Sequence, residues 1–207
     1  ELTNVFFESF DRAGMRVAIS GTKTPRPKAR FGPPLPSGCT SEGEYFDLEL
    51  EDGVGDFVDR INAALPDGLV VTKAERIDTR SDAISALISS AEYAFSIPSG
   101  VMTYEEVNHR FARFASERIW QVQRVSGKGK ERTINLKRAV LRWSISHIES
   151  GSQVNVTVKL DDPDGHNANP ALLLGGLFRL TEEQSAMVRV RRTQVFTASG
   201  QPLANVA

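Results

Sequence analysis

One cysteine among 207 residues, Cys39, permits neither an internal disulfide nor the converging thiolates of an iron–sulfur cluster. No histidine lies near it in sequence, so it is expected to be inert rather than nucleophilic. Histidine is nearly as scarce: His109, His147 and His166 stand far apart, without a spacing that suits a metal. Long apolar runs are missing too. None approaches the roughly 18–20 residues that a spanning helix needs, and Glu1-Leu2-Thr3-Asn4 lacks the basic-then-apolar opening of a secretory signal; the expectation is no membrane partner and a cytoplasmic location. There is no nucleophile elbow, no dinucleotide-binding glycine fingerprint and no Walker spacing. A protein that binds rather than catalyses is expected, with no catalytic residue, no metal and no cofactor; an enzyme is the weaker alternative.

What is present is ordinary for a packed domain: 40% hydrophobic residues, 25% charged, and eleven Phe. The length suits two small halves packed together. The net charge of −1 hides an asymmetry, because residues 1–103 carry ten Lys and Arg against sixteen Asp and Glu, whereas residues 104–207 carry fifteen against ten. A basic second half favours encounter with a polyanion.

Apolar periodicity predicts a helix over Leu2 to Ala13, ended by Gly14, a strand over Met15 to Ile19, an alternating strand over Glu44 to Leu50, a helix over Asp56 to Leu65 and a strand over Leu69 to Ile77. After a connecting helix near Ser81 to Ser89 come strand Ala91 to Ile97, helix Tyr104 to Ser116, strand Arg118 to Val125, a strand within Ala139 to Glu149, strand Gln153 to Leu160, helix Pro170 to Leu180 and strand Met187 to Thr197. The series predicts an α+β class with two ferredoxin-like βαββαβ halves, each an antiparallel sheet with helices on one face. The N-terminal half, residues 1–80, lacks its first strand, residues 81–90 connect, and residues 91–207 form the C-terminal half with one extra hairpin.

Three cationic segments are candidates for contact with phosphate. Lys23, Arg26, Lys28 and Arg30 lie in a stretch from Gly21 to Ser41 that contains no acid and is stiffened by Pro25 and Pro27; a merely solvated loop is the competing reading. Lys128, Lys130 and Arg132 crowd the Gly-rich connection of a predicted hairpin, which suits either a phosphate-contacting tip or a soluble turn. Arg189 and Arg191 share one face of the last strand, with Val188, Val190 and Arg192 on the other. No aromatic pair accompanies them to stack bases. Glu42 and Glu44 are expected to balance the charge of Lys23 to Arg30.

The stretch Pro25-Arg26-Pro27, then Phe31-Gly32-Pro33-Pro34-Leu35-Pro36-Ser37-Gly38, then Ser41-Glu42-Gly43-Glu44 running to Leu50, follows a helix ending Asp11-Arg12-Ala13-Gly14. It resembles the radical SAM-linked protein family, also called domain of unknown function 2344 (DUF2344), whose motif falls on Pro25, Pro27, Pro34, Gly38, Glu42 and Glu44. Ala63 to Leu69, Ala91-Glu92-Tyr93 and Arg192 to Phe196 are compatible with it. The resemblance implies a partner of a radical SAM enzyme, fused to it or encoded beside it, often near genes for RNA processing or ribosomal proteins. The chain departs from the family pattern at Thr22-Lys23-Thr24, where Gly-Phe-Asn is expected, and at Arg26, which replaces a His. Chemistry that rests on that His does not carry over, whereas a cationic contact does. The reading is a non-catalytic accessory module that binds RNA or ribonucleoprotein and works with a radical SAM enzyme. The alternative is a protein-interaction adaptor that docks on a radical SAM or RNA-processing enzyme without touching nucleic acid.

Overall fold

The computed structural model describes residues 2–21, 25–51, 55–78, 80–125, 129 and 131–205. In chain order it contains α1 (Leu2–Arg12), β1 (Ile19–Ser20), β2 (Arg26–Pro27), β3 (Ala29–Phe31), β4 (Cys39–Ser41), β5 (Phe46–Leu48), α2 (Phe57–Ala64), α3 (Ile84–Leu87) and β6 (Ile88–Pro98). There follow α4 (Tyr104–Ser116), β7 (Gln121–Val125), β8 (Glu131–Asn135), α5 (Leu136–Ala139), β9 (Val140–Ile148), β10 (Gly151–Lys159), α6 (Pro170–Leu173), a π-helix (Leu174–Phe178), α7 (Glu182–Ala186) and β11 (Arg189–Thr197). The class is α+β, as expected. The chain forms two compact units, one of Glu1–Gly32 with Tyr45–Ala86 and one of Pro33–Glu44 with Leu87–Val206.

The first unit is built on phenylalanine. Phe6 and Phe10 recur at helical spacing on α1 and meet Phe57 and Ile61 of α2, with Phe31 and Phe46 packed against the same cluster. Phe6 and Phe46 lie 5.1 Å apart between ring centroids, and Phe31 and Phe46 lie 5.5 Å apart. Gly14 takes φ 64°, the left-handed cap its position predicts. The two helices cap each other's C-termini: Arg60 donates to the Ala13 carbonyl at 2.9 Å, and Arg12 donates to that of Ala64 at 2.8 Å. The four-stranded sheet of a ferredoxin-like half is not seen here. The described strands form two short antiparallel ladders, β1 with β2 and β3 with β5. Leu69 to Ile77, expected as a strand, has no regular structure, because no ladder partner lies beside it among the described residues. Val71 is held instead by Asn62, whose amide exchanges two hydrogen bonds with its backbone, while Val70 and Ile77 are exposed.

The second unit is a five-stranded sheet in the order β4-β11-β6-β10-β9. β4 runs parallel to β11, and every other neighbour is antiparallel. On one face Tyr93, Phe95 and Ile97 of β6 align with Val154, Val156 and Val158 of β10 and Val190 of β11, all buried. Helices cover this face: Phe178 meets Phe95 at 5.3 Å and Phe111 at 5.6 Å. Thr103 and Glu106 close a reciprocal cap at the start of α4. The expected helix over Pro170 to Leu180 begins at Pro170 but widens into the π turn at Gly175 and Gly176, and ends at Arg179 in the left-handed region, φ 56°. The extra hairpin, β7 with β8, is present.

Candidate functional site

Within the second unit, the Pro33–Glu44 part of the proline-rich motif is held by one buried side chain. Arg192 stands opposite Tyr93 across β11 and β6, and its side chain is 1% exposed. Its donors are all engaged. Nη1 donates to the Pro33 carbonyl at 2.9 Å and to Glu44 at 2.9 Å; Nη2 donates to the Pro34 carbonyl at 2.9 Å and the Tyr93 hydroxyl at 3.1 Å; Nε also donates to that hydroxyl, at 3.3 Å. A planar guanidinium fork is the group suited to such a set, since an ammonium cannot address so many fixed acceptors in a plane. Glu44 is further held by the Ser41 hydroxyl, and β4 adds three backbone pairs to β11. The motif's small residue has a reason as well. A Cβ on Gly43 would sit 3.2 Å from the Gln194 Cα, just beyond the bulge at Thr193, so any larger residue would have to push the loop and β11 apart by a few tenths of an ångström. Glu42 and Glu44 were expected to balance the loop of Lys23 to Arg30. They pair instead with Arg191, at 2.8 Å, and with Arg192.

The opposite face of the sheet is polar around Arg189 and Arg191. Arg189 and Arg191 are exposed on it, as the alternation predicts, and their cross-strand neighbours lead to Gln153, Asn155, Ser144 and Ser146. Arg142 lies on the same face, 57% exposed, bonded to Thr157 at 2.9 Å and stacked over Phe196 at 4.5 Å. Glu92 accepts from Thr193 at 2.9 Å and lies 3.8 Å from Arg142. No exposed aromatic joins the arginines, since Phe196 is buried.

The other cationic residues are distributed differently. Lys23, Lys128 and Lys130 lie outside the described residues. Arg26 and Arg30 are exposed on β2 and β3 of the first unit, near Pro25 and Pro27, and Lys28 is paired with Glu49 at 2.7 Å. Arg132 stands on β8, directly across from Arg124, and its guanidinium packs on Gly165. Its hairpin packs on the π-helix, on the helix-covered side, through Val122 and Gly176. Arg132 and the Arg189–Arg191 pair therefore occupy opposite faces of the second unit. Gly38, with φ 80°, turns the proline loop into β4.

A cleft missed by sequence reasoning opens on the helix-covered side. It encloses about 680 Å³ between the end of α4, β7 and the π-helix, and Arg113, Trp120, Gln121, Gln123, Gly175 and Arg179 line it. The Trp120 indole donates to the Gly176 carbonyl at 3.0 Å, which fixes the ring against the widened turn. The guanidiniums of Arg113 and Arg179 lie 5.8 and 5.4 Å from its centroid. Burial, and then the charges of Arg179 and Arg113, hold Arg110 below the usual guanidinium range.

A family model described as an uncharacterized protein conserved in bacteria (DUF2344) matches residues 1–170. The chain belongs to this family. No curated protein matches it. The matched span contains the whole proline motif to Glu44, while its anchor Arg192 and the cleft's Arg179 fall outside it.

In this family member no three His, Cys, Asp or Glu side chains among the described residues gather as metal ligands do. His166 is used structurally, its Nδ1 accepting from the Asn135 backbone at 3.1 Å, and His147 packs edge-on against Tyr104 at 5.2 Å. Burial pushes the Cys39 thiol up, against the opposing charge of Arg192, so little reactive thiolate forms near neutrality. Burial likewise raises the Tyr93 phenol, with Arg192 opposing it, so it serves Arg192 as a neutral acceptor. No described helix is long and apolar enough to cross a membrane.

Proposed function

We propose that this protein is a non-catalytic accessory module that binds RNA or a ribonucleoprotein on the open sheet face of its second unit and works with a radical SAM enzyme. The observation that carries the reading is the pair Arg189 and Arg191, exposed with Arg142 on a polar sheet surface. The order β11-β6-β10-β9, antiparallel throughout, supports a ferredoxin-like second unit, and folds of that kind use this face for single-stranded RNA. Amides and hydroxyls of Gln153, Asn155 and Ser144 supply donors and acceptors for base edges and 2′-hydroxyls. The pairing of Arg191 with Glu42 is no obstacle, because both ends are half exposed and a phosphate replaces such a partner readily. With no stacking aromatic on the face, backbone contact dominates over sequence reading. The work with a radical SAM enzyme rests on the family resemblance.

Filter binding with bulk RNA tests the reading. Two to three phosphate contacts predict affinity falling roughly sevenfold to eighteenfold between about 50 and 200 mM salt, and Arg189→Ala with Arg191→Ala flattens that dependence. Absent binding, or binding indifferent to salt, refutes it.

A second reading, the adaptor, is favoured by β9. It ends the sheet, its outer edge is unpaired among the described residues, and Leu141 and Trp143 on it are 50% and 36% exposed. Co-purification with a radical SAM enzyme that survives ribonuclease treatment supports it; loss of the complex on that treatment rejects it.

A further inference from the structure

The cleft beside Trp120 is unrelated to the sheet face, and its exposed lining, Arg113, Arg179, Gln121 and Gln123 included, surrounds the buried Trp120 ring. Arg110 and Arg113 are three apart on α4 and share a helix face. Arg179 arrives from the far end of the π-helix, and Arg110 lies near enough to feel the charges of both Arg179 and Arg113. Neither Arg110 nor Arg179 has a carboxylate within ion-pair distance among the described residues. Arg113 has only Glu117, at 3.8 Å, with both side chains about half exposed, 53% and 48%. Such a pair is weak and yields to a stronger anion.

The backbone adds a second observation. Position 179 closes the π turn with its N–H on the Leu174 carbonyl and with φ 56°, a conformation that glycine adopts freely and arginine does not. Two glycines, Gly175 and Gly176, stand four and three positions before it in the same turn, so the sequence is not short of them here. A strained non-glycine residue points to a use for its side chain. Single π turns are also a common device of binding sites.

We propose that this cleft binds a nucleotide through its 5′-phosphate. Arg179 and Arg113 take the phosphate through bidentate hydrogen bonds. Gln121 and Gln123 of β7 also line the cleft, the Gln123 amide exchanging hydrogen bonds with the Thr133 hydroxyl at 3.1 and 3.2 Å. Ile119, 61% exposed at the rim, offers an apolar contact for the ring. Gly175, with nothing within 4 Å of where a Cβ would stand, leaves backbone open to the ligand. The volume of about 680 Å³ lies well inside the range of small-molecule sites and leaves room beyond the phosphate. The bearer is either a free nucleotide or the 5′ end of an RNA chain, which share this chemistry.

Isothermal titration of the full chain with adenosine and uridine 5′-monophosphates, the parent nucleosides and inorganic phosphate decides the matter. Saturable binding of a monophosphate is expected, with the nucleosides and inorganic phosphate each weaker by about tenfold or more. Arg113→Gln and Arg179→Gly each weaken it by about tenfold, and Arg179→Gly melts no lower than wild type because glycine relaxes the left-handed residue. A 5′-phosphorylated tetranucleotide preferred over both its 5′-hydroxyl counterpart and the free monophosphate identifies the chain end as the bearer; the free monophosphate bound best identifies the nucleotide. No monophosphate binding at millimolar concentration, inorganic phosphate bound as tightly as the nucleotide, or affinity unchanged in both variants overturns the proposal. Arg179→Gly with a lower melting temperature and unaltered affinity makes the arginine a packing residue and does the same. The titration does not involve the sheet face, so its failure and the failure of RNA binding there are separate results.

Discussion

Replacing Arg192 by leucine should detach the proline motif from β11. The side chain is 1% exposed and its partner Glu44 is 33% exposed, so the pair is buried on one side only. Breaking a fully buried pair costs about 3–5 kcal/mol. Here Glu44 and the carbonyls of Pro33 and Pro34 regain water in part, which lowers the figure, whereas the Tyr93 hydroxyl stays buried and loses its donors at about 1–3 kcal/mol. Leucine restores some apolar packing. The net expectation is about 3 kcal/mol, or roughly 6–12 °C in melting temperature for a chain of this size. Arg192→Lys keeps the charge without the planar fork and should recover about half of that loss. Urea denaturation gives the magnitude, and amide hydrogen exchange gives the place: the backbone amides of Cys39 to Ser41 should lose protection while those of β6 and β10 keep it. A leucine variant that melts within about 2 °C of wild type and protects β4 equally well would refute the anchor.

The two motif glutamates should separate cleanly: Glu42→Gln, in an exposed pair with Arg191, changes stability by at most about 0.5 kcal/mol, and Glu44→Gln costs roughly 1.5–3 kcal/mol in the same urea assay. Gly151→Ala should be severe, about 3 kcal/mol or more, because φ is 147° and the added Cβ would collide with the Ile97 carbonyl oxygen; wild-type stability by circular dichroism would contradict the β6–β10 register. Glu106 is held below its ordinary value of 4.5 by the Thr103 backbone N–H and hydroxyl, so its stabilisation of α4 is present above that pH and lost as pH falls below it; exchange at the amides of the first turn of α4 should rise over that window in wild type and not in Glu106→Ala. Ser152 has a buried hydroxyl with no partner among the described residues, so Ser152→Ala should be at least as stable as wild type by thermal melting.

The regular elements were legible in the sequence wherever one stretch of chain carried its own pattern. Helix Tyr104 to Ser116 matches α4 at both ends because its cap, Thr103 with Glu106, and its apolar spacing of Val107, Phe111 and Phe114 are local. Leu69 to Ile77 carries apolar residues suited to a strand but has no neighbouring edge to pair with. β-propensity states a fit to a ladder and does not supply one. The acidic residues of the motif were misassigned for a related reason: Glu44 and Arg192 are 148 positions apart, and nothing in either neighbourhood marks them as partners.

What the sequence determined by itself was the α+β class, the alternation that exposes Arg189 and Arg191 and buries Val190, and the helix end at Gly14, since each follows from spacing of two or four residues or from one residue's backbone freedom. Only the tertiary structure decided that Pro33–Glu44 joins the second unit, that Arg192 is the buried one among the arginines of its strand, and that Arg113 and Arg179 meet at Trp120. The physical reason is that burial and charge pairing belong to the surface a residue meets, and that surface comes from segments far away along the chain.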